Sequence, residues 1–423
     1  MSLTMKSALL IALIAVTGTH GTAGGASAPK IYVGLFRDDA VAVIDSATNR
    51  VLRTVPVPKG PHGLVVTPDG RKVYVSSDGA ATVSVIDTAT DQVSASIDVG
   101  PNPHGLAMAP DGSRVLVSAW GADQAMVIDT ATDRVVARVP VAQAHNGALS
   151  ADGRTAWVGS QRQGATALVQ IDVAAEKEIA RVPLERTPRA LDLSPDGRRL
   201  YFTVAGQAAV LVLDTTTRQI VAQIPVGASP HQAPLTADGR WALVPSQGPG
   251  ELGVIDTSGG TVAATVPVGK TPHWVGVSST GSVAYVTNEG SNDVSVVDLA
   301  RRQVVATIPV GNAPRKVAVQ PGVVPKAAAA EPVEVVVRVD DYSFTPSAVR
   351  ARAGERLRLR VENAASTLHN LSAPALGLDR DLPPRAQVEI DVTVPATGSV
   401  PFFCKFHEPL GQRGQLVVVG SGS

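Results

Sequence analysis

The stretch Pro103-His104-Gly105-Leu106-Ala107-Met108-Ala109-Pro110-Asp111-Gly112 recurs with substitutions along the 423-residue chain. An apolar run closed by Asp-Gly is typical of a short strand that ends in a tight turn. The seven copies begin at Pro61-His62-Gly63, Pro103-His104-Gly105, His145-Asn146-Gly147, Pro188-Arg189-Ala190, Pro230-His231, Pro272-His273-Trp274 and Pro314-Arg315-Lys316. Measured between the residues that align with His104, successive copies are 42, 41, 44, 42, 42 and 42 residues apart. This regular step indicates a repeat protein.

Each repeat unit contains four strand-like runs. In the quoted unit, Gly105–Pro110 is followed by Arg114–Ser118, Gln124–Asp129 and Val135–Pro140, with turn residues between them. Four short antiparallel strands in about 42 residues predict one blade of a β-propeller, and seven copies predict seven blades. An aspartate ends the third run of every unit, and we expect it to cap the following turn. These residues are Asp45, Asp87, Asp129, Asp172, Asp214, Asp256 and Asp298.

The two ends of the repeat region are out of phase. The region begins at Ile31-Tyr32-Val33, a second strand, and finishes at Val317-Ala318-Val319, a first strand. One blade should therefore combine both ends, which closes the ring and removes two exposed sheet edges.

Tyr285-Val286-Thr287-Asn288, together with the Pro-His-Gly and Pro-Asp-Gly patterns, resembles the YVTN family of bacterial propellers. The resemblance covers residues 30–323 and implies a seven-bladed β-propeller domain. Residues 324–332 are rich in alanine and proline and are predicted to be a linker.

The residues that align with His104 in the seven repeats form a candidate site together. These residues are His62, His104, His145, Arg189, His231, His273 and Arg315. First strands line the channel of a propeller, so the seven side chains should meet at one mouth of it. Three roles are open: a turn favoured between blades, a site for a small anionic ligand, or a second metal site. The permanent charges of two arginines disfavour the metal role.

A different candidate site lies near the C-terminus, in Cys404-Lys405-Phe406-His407. Cys404 is the only cysteine of the chain, and His369 is the only other histidine in its last third. A thiolate with imidazoles suits copper. A lone cysteine or histidine is usually structural, but three such residues at ligand spacing favour a metal site.

His369-Asn370 followed by Cys404-x-x-His407 resembles the cupredoxins, the small blue-copper electron carriers. The resemblance covers residues 333–420, including Tyr342-x-Phe344-x-Pro346 and the Ala353-Gly354 turn. It implies a Greek-key β-sandwich with one type-1-like copper held by His369, Cys404 and His407. It also implies that Asn370 hydrogen-bonds the cysteine sulfur beside the cofactor.

The axial copper ligand of this family is usually methionine, but Met occurs only at positions 1, 5, 108 and 126. Family spacings place either Leu410 or Gln412 at the axial position. Leucine cannot ligate, whereas the amide oxygen of glutamine can, so Gln412 is the favoured metal neighbour. An oxygen donor should lower the reduction potential relative to methionine.

The first 28 residues are typical of a cleavable signal peptide: Lys6, the apolar run 8–16, then small residues ending at Ala28. We therefore expect a periplasmic or secreted protein without a membrane span. In an oxidising compartment an unpaired Cys404 is open to oxidation, and metal binding would protect it. The chain has 37 Lys plus Arg and 37 Asp plus Glu residues, so it has no net positive charge that would attract nucleic acid.

A seven-bladed propeller followed by a cupredoxin domain is similar in architecture to nitrous oxide reductase. A single cysteine excludes the two-copper centre of that enzyme, and the absence of Cys-x-x-Cys-His excludes covalent haem. The favoured function is an exported copper electron carrier, with the propeller as a platform for a redox partner protein or a small ligand. The alternative is a redox enzyme that reacts at the His/Arg ring and takes electrons from the copper. A propeller hydrolase lacks support because no acidic cluster stands out.

Overall fold

The computed structural model describes residues 28–322, 333–352, 356–395 and 398–419. The predicted signal peptide, apart from Ala28, the 324–332 linker and the Ala353-Gly354 turn lie outside these residues. The chain divides into two compact units at the boundary between Val323 and Val324. Within the described ranges, no helix has the length and apolarity needed to cross a lipid bilayer.

The N-terminal unit consists of seven antiparallel sheets, which are the blades. Blade 2 consists of β4 Pro61–Val66, β5 Lys72–Ser77, β6 Thr82–Asp87 and β7 Gln92–Asp98, and blade 3 of β8 Pro103–Met108, β9 Arg114–Ala119, β10 Gln124–Asp129 and β11 Arg134–Pro140. Blade 4 consists of β12 Ala144–Leu149, β13 Thr155–Ser160, β14 Ala167–Asp172 and β15 Lys177–Pro183, and blade 5 of β16 Pro188–Leu193, β17 Arg199–Val204, β18 Ala209–Asp214 and β19 Ile220–Pro225. Blade 6 consists of β20 Trp241–Ser246, β21 Glu251–Asp256 and β22 Thr261–Pro267, and blade 7 of β23 Pro272–Val277, β24 Val283–Asn288, β25 Asp293–Asp298 and β26 Gln303–Pro309. A short 3-10 helix, Trp120–Ala122, follows β9.

Blade 1 joins the two ends of the unit, as predicted. Its strands are β27 Pro314–Val319, β1 Lys30–Leu35, β2 Ala40–Asp45 and β3 Arg50–Pro56, in that order across the sheet. Ile31 pairs with Val319 and Val33 with Val317. The prediction of an all-β fold with seven blades and a shared closing blade is confirmed.

The burial of each strand follows its place in the blade. Second and third strands, such as β5 and β10, are covered on both faces by neighbouring blades and are almost fully buried. Fourth strands are largely exposed because they form the outer edge of the blade, and in β7 only Ile97 is buried. All seven predicted turn aspartates accept hydrogen bonds from backbone N–H groups two or three residues ahead.

Blade 6 departs from the four-strand prediction. Its sheet has three strands, and its innermost segment makes only two isolated bridges, Pro230 to Ser246 and Leu235 to Ala242. Pro234 interrupts this segment and has no backbone N–H to donate, which disfavours a regular ladder there.

The C-terminal unit is a two-sheet sandwich whose core lies between the sheets. One sheet has the order β29-β28-β31-β34 and the other β30-β36-β35-β32-β33. The bounds are β28 Val333–Asp340, β29 Ser343–Thr345, β30 Ala348–Arg352, β31 Arg356–Asn363, β32 His369–Ala373, β33 Leu378–Leu382, β34 Gln387–Thr393, β35 Ser399–Phe403 and β36 Arg413–Val419, with 3-10 helices Pro374–Leu376 and Glu408–Leu410. The pairs β28/β31 and β30/β36 are parallel and the others antiparallel, which agrees with the predicted Greek-key arrangement.

Candidate metal centre and propeller ring

The predicted copper ligands come from two adjoining parts of one sheet. His369 is the first residue of β32, and Cys404 directly follows β35. The loop from Cys404 to Gln412 is tight, because His407 N–H donates to the Cys404 carbonyl at 3.0 Å and Cys404 N–H to the Gln412 carbonyl at 3.2 Å. This loop carries His407 and Gln412 back toward His369.

His369, Cys404 and His407 offer one donor atom each within 4.8 Å of one another. Cys404 Sγ lies 3.5 Å from His407 Nδ1 and 3.9 Å from His369 Nδ1. Cys404 and His369 are fully buried, and His407 is partly exposed. Burial lowers the pKa of His369, which favours the neutral imidazole that a metal requires.

Gln412 completes the group. Its Oε1 lies 3.2 Å from Nδ1 of His369 and 3.2 Å from Nδ1 of His407. Its Nε2 donates to the Asp340 carbonyl at 2.8 Å. This hydrogen bond orients the amide so that its oxygen faces the two imidazoles. Leu410, the other axial candidate, is 63% exposed, and this exposure does not fit a side chain beside a buried metal.

His369 is also held from its far side. Its Nε2 lies 3.1 Å from Thr367 Oγ1, so Nδ1 is left to face the cysteine and His407. Sequence reasoning missed Thr367. Its position two residues before His369 places both side chains on the same side of an extended chain, and this spacing was the available signal. One thiolate, two imidazoles through Nδ1 and one amide oxygen form a donor set that fits copper.

Asn370 has a different role from the one predicted. Its amide donates to Asp379 at 2.7 Å and to Asp381 at 3.0 Å, and its Oδ1 accepts from the Ser372 hydroxyl at 2.6 Å. The side chain is thereby committed to β33 and does not reach the sulfur. Its Oδ1 also lies 3.5 Å from the backbone N–H of Lys405, next to Cys404. Asn370 therefore links the His369 strand to the cysteine loop.

The propeller ring, defined as the seven residues predicted at the channel mouth, is brought together by the fold. The centroids of successive imidazoles are 3.7 Å apart for His62 and His104, 3.9 Å for His104 and His145, and 4.0 Å for His231 and His273. His145 Nδ1 lies 2.9 Å from the carbonyl of Arg189, the next ring member. The imidazoles thus form two stacks, His62 with His104 and His145, and His231 with His273, and the two arginines separate these stacks.

The imidazoles of the ring are neutral. Burial lowers the pKa of His145 to about 4 and of His273 to about 3, and it lowers the pKa of His62, His104 and His231 well below their usual value. In the described part of the chain, potential metal donors converge at Cys404 and its two histidines and not at the ring.

The two arginines of the ring are already engaged. Arg315 donates to Glu289 at 3.1 Å and lies over the Phe36 ring at 3.5 Å, and Arg189 donates to Ser229 at 3.3 Å. Glu289 was missed by sequence reasoning, because it belongs to a loop after β24 that the repeat pattern leaves variable. Anion binding at the ring stays a prediction, and metal binding there has no geometric support.

The comparisons with known proteins agree with the two units. A cupredoxin-like domain model matches residues 317–418, and a YNCE-like beta-propeller model matches residues 13–110. The cupredoxin match begins within β27, which the structure places in blade 1. A search of curated proteins finds no significant match.

Two solved structures share the fold. Hydrazine synthase of Kuenenia stuttgartiensis is 21% identical with a TM-score of 0.59, over 67% of this chain and 99% of that chain. The dihydro-heme d1 dehydrogenase NirN, in complex with DHE, is 19% identical with a TM-score of 0.51, over 66% of this chain and 63% of that chain. The cupredoxin-like domain implies copper binding in general. The chain is therefore similar to YNCE-like β-propellers in its N-terminal part and to cupredoxin-like domains in its C-terminal part.

Proposed function

We propose that this chain is an exported electron-transfer protein with one type-1-like copper site, and that His369, Cys404 and His407 hold the metal with Gln412 beside it. The observation that carries the proposal is the convergence of these donors within 4.8 Å, with the Gln412 oxygen 3.2 Å from both imidazoles. A bound copper ion would supply one-electron chemistry.

The protein residues prepare this site in three ways. The buried Cys404 excludes water from the sulfur, which strengthens the electrostatic interactions of a thiolate there. Thr367 and Asp340 fix the orientation of His369 and Gln412. Asn370 and the short loop hold the cysteine and histidine segments in register, which limits rearrangement between two oxidation states.

The exposed side chains around His407 support a protein partner. Tyr342 is 60% exposed and its ring lies 5.7 Å from His407, edge to face. Phe406 and Leu410 are 44% and 63% exposed on the same loop. We propose that a redox partner protein docks on these three residues, because they surround the one partly exposed imidazole of the site.

Metal content and absorption test the copper site. The purified protein should contain one copper per chain and show an intense visible band, and Cys404→Ser should lose the band. His145→Gln, in the propeller ring, serves as the matched control and should keep both. A second copper that disappears in His145→Gln would instead favour the alternative redox enzyme with a reaction site at the ring.

Electron-transfer kinetics test the docking surface. With a soluble cytochrome c as the probe, Leu410→Glu should slow the second-order rate about tenfold or more, since it places a charge in the apolar contact. Leu52→Glu, at a residue that is 51% exposed on β3 of the propeller, should leave the rate unchanged. Equal rates for both variants would contradict the docking site.

A further inference from the structure

A cavity of about 370 Å³ lies in the propeller channel, beyond the ring. It begins at the residues that follow ring members, among them Asn146, Gln232, Trp274 and Lys316. It continues along the inner strands to Pro110 and Ser194, near the Asp-Gly turns. The cavity therefore opens at the end of the channel opposite the ring.

The walls of this channel cavity are mostly apolar. They include Leu64, Leu106, Leu149, Leu191 and Val317. Of the lining residues, only Asp192 and Lys316 have ionisable side chains. An apolar cavity of a few hundred Å³ with few polar groups is the usual form of a small-molecule site.

Lys316 is the polar group that stands out. The residue is only 3% exposed, and its Nζ lies 3.2 Å from the centre of the Trp274 ring. Among the described residues no carboxylate lies within 4.0 Å of Nζ, although burial of an ammonium ion normally requires such a partner. The indole covers one side of Nζ, and Asp192, the carboxylate that acts on it electrostatically, lies beyond 4.0 Å and makes no direct ion pair with it.

The amides beside Lys316 are committed elsewhere. Asn146 donates to the Arg189 carbonyl at 3.0 Å, and the Gln232 oxygen accepts from Val275 N–H at 3.3 Å. Among the lining residues, Lys316 supplies the only cationic donor for a ligand.

We propose that the channel cavity binds a small carboxylate with an apolar body, its carboxylate on Lys316 Nζ and its body against the leucine and valine walls. This is a site separate from the copper centre, and it does not depend on the proposed electron transfer. Asp192 opposes an anion when ionised, while the neutral ring imidazoles add no charge of their own.

The proposal has a definite pH dependence. Burial lowers the pKa of Lys316 to about 7 and raises the pKa of Asp192 to about 7. Acidification protonates both groups, which supplies the cation and removes the competing anion. Binding of a carboxylate should therefore strengthen as the pH falls from 8.5 to 6.0.

Calorimetric titration of the full-length, copper-loaded protein with benzoate tests the site. Benzoate should bind at pH 6.0 and about tenfold or more weaker at pH 8.5, and neutral benzamide should bind about tenfold weaker at pH 6.0. Lys316→Met should abolish benzoate binding, and Lys177→Met on the exposed strand β15 should not. Lys316→Arg keeps a cation at both pH values, so its benzoate affinity should not fall at pH 8.5, which gives a readout even if Lys316→Met does not fold.

Three results would overturn the proposal. These are no binding of benzoate at millimolar concentration, equal binding of benzamide, or undiminished binding by a folded Lys316→Met protein.

Discussion

Acidification from pH 7.5 to 5.5 should destabilise the propeller, because its ring holds five imidazoles in the neutral form. Burial places the pKa of His145 at about 4 and of His273 at about 3, against about 6.5 in an unfolded chain. The unfolded state therefore binds more protons in this range. Stability is highest above pH 6.5 and is lost as the pH falls toward the folded-state pKa values.

The size of the effect follows from these pKa differences. At pH 5.5, one unit below the unfolded pKa, each histidine that stays neutral costs about 1.4 kcal/mol, or about 3 kcal/mol for His145 and His273 together. Asp192 stabilises the folded state by about 2 kcal/mol over the same pH change, because its pKa of about 7 lets the folded state bind a proton that the unfolded state does not bind. Lys316, with a pKa of about 7, adds about 1 kcal/mol of destabilisation. The net loss for these four groups is about 2 kcal/mol, and the lowered pKa values of His62, His104 and His231 add to it in the same direction.

Urea unfolding followed by tryptophan fluorescence measures this loss in the propeller alone. All four tryptophans of the chain belong to the propeller: Trp120, Trp157, Trp241 and Trp274. The free energy of unfolding should fall steeply between pH 7.5 and 5.5. His145→Gln removes one group that takes up a proton on unfolding, so its slope between pH 6 and 5 should be smaller by about 1.4 kcal/mol per pH unit.

His369→Gln is the matched control, because His369 belongs to the other unit and should not alter the slope that the tryptophans report. The reasoning is refuted if the wild-type protein unfolds at the same urea concentration at pH 7.5 and 5.5. It is equally refuted if His145→Gln keeps the full slope, since the ring would then accept protons while folded.

Three further outcomes are expected. Gln412→Met should raise the reduction potential and shift the visible band in spectroelectrochemistry, because a softer donor replaces the amide oxygen, whereas Leu410→Met at an exposed position should change neither. Asp129→Ala should lower the free energy of unfolding by about 1 kcal/mol through lost hydrogen bonds to Thr132, and unchanged urea midpoints would contradict that role. Deleting β27, Pro314–Val319, should abolish cooperative unfolding of the propeller in the tryptophan signal, and a sharp transition in the deletion variant would contradict closure by this strand.

The fold was predictable because the repeat specifies both the blade and its phase. The half-unit offset between Ile31 and Val319 was enough to predict the pairing that the structure shows. The irregular inner segment of blade 6 was missed because the period was given more weight than Pro234, a proline that the other repeats lack at this position. The cysteine loop was readable because spacing along one tight loop determines which side chains can meet.

Contacts between distant segments were not readable. The partners of Asn370 lie on β33, and the register of that strand against β32 cannot be derived from spacing. The orientation of Gln412 depends on the Asp340 carbonyl, 72 positions away. The meeting of Asp192 and Lys316 in one cavity likewise requires closure of the ring. The sequence did contain a signal for this cavity. The residue after each ring member varies from glycine to tryptophan and lysine, whereas the residues around it repeat from blade to blade.

The closing blade also sets the order of events during synthesis. Lys30 N–H donates to the side chain of Gln320 across 290 positions, so β1 must wait for nearly the whole propeller to leave the ribosome before it gains its inner neighbour. Pairing over such a separation is slow compared with hairpin formation within one blade. During that delay the open edge of β1 can accept β27 of another chain as readily as its own. Crowded, rapid expression should therefore yield strand-exchanged dimers, and slower synthesis should favour the monomer.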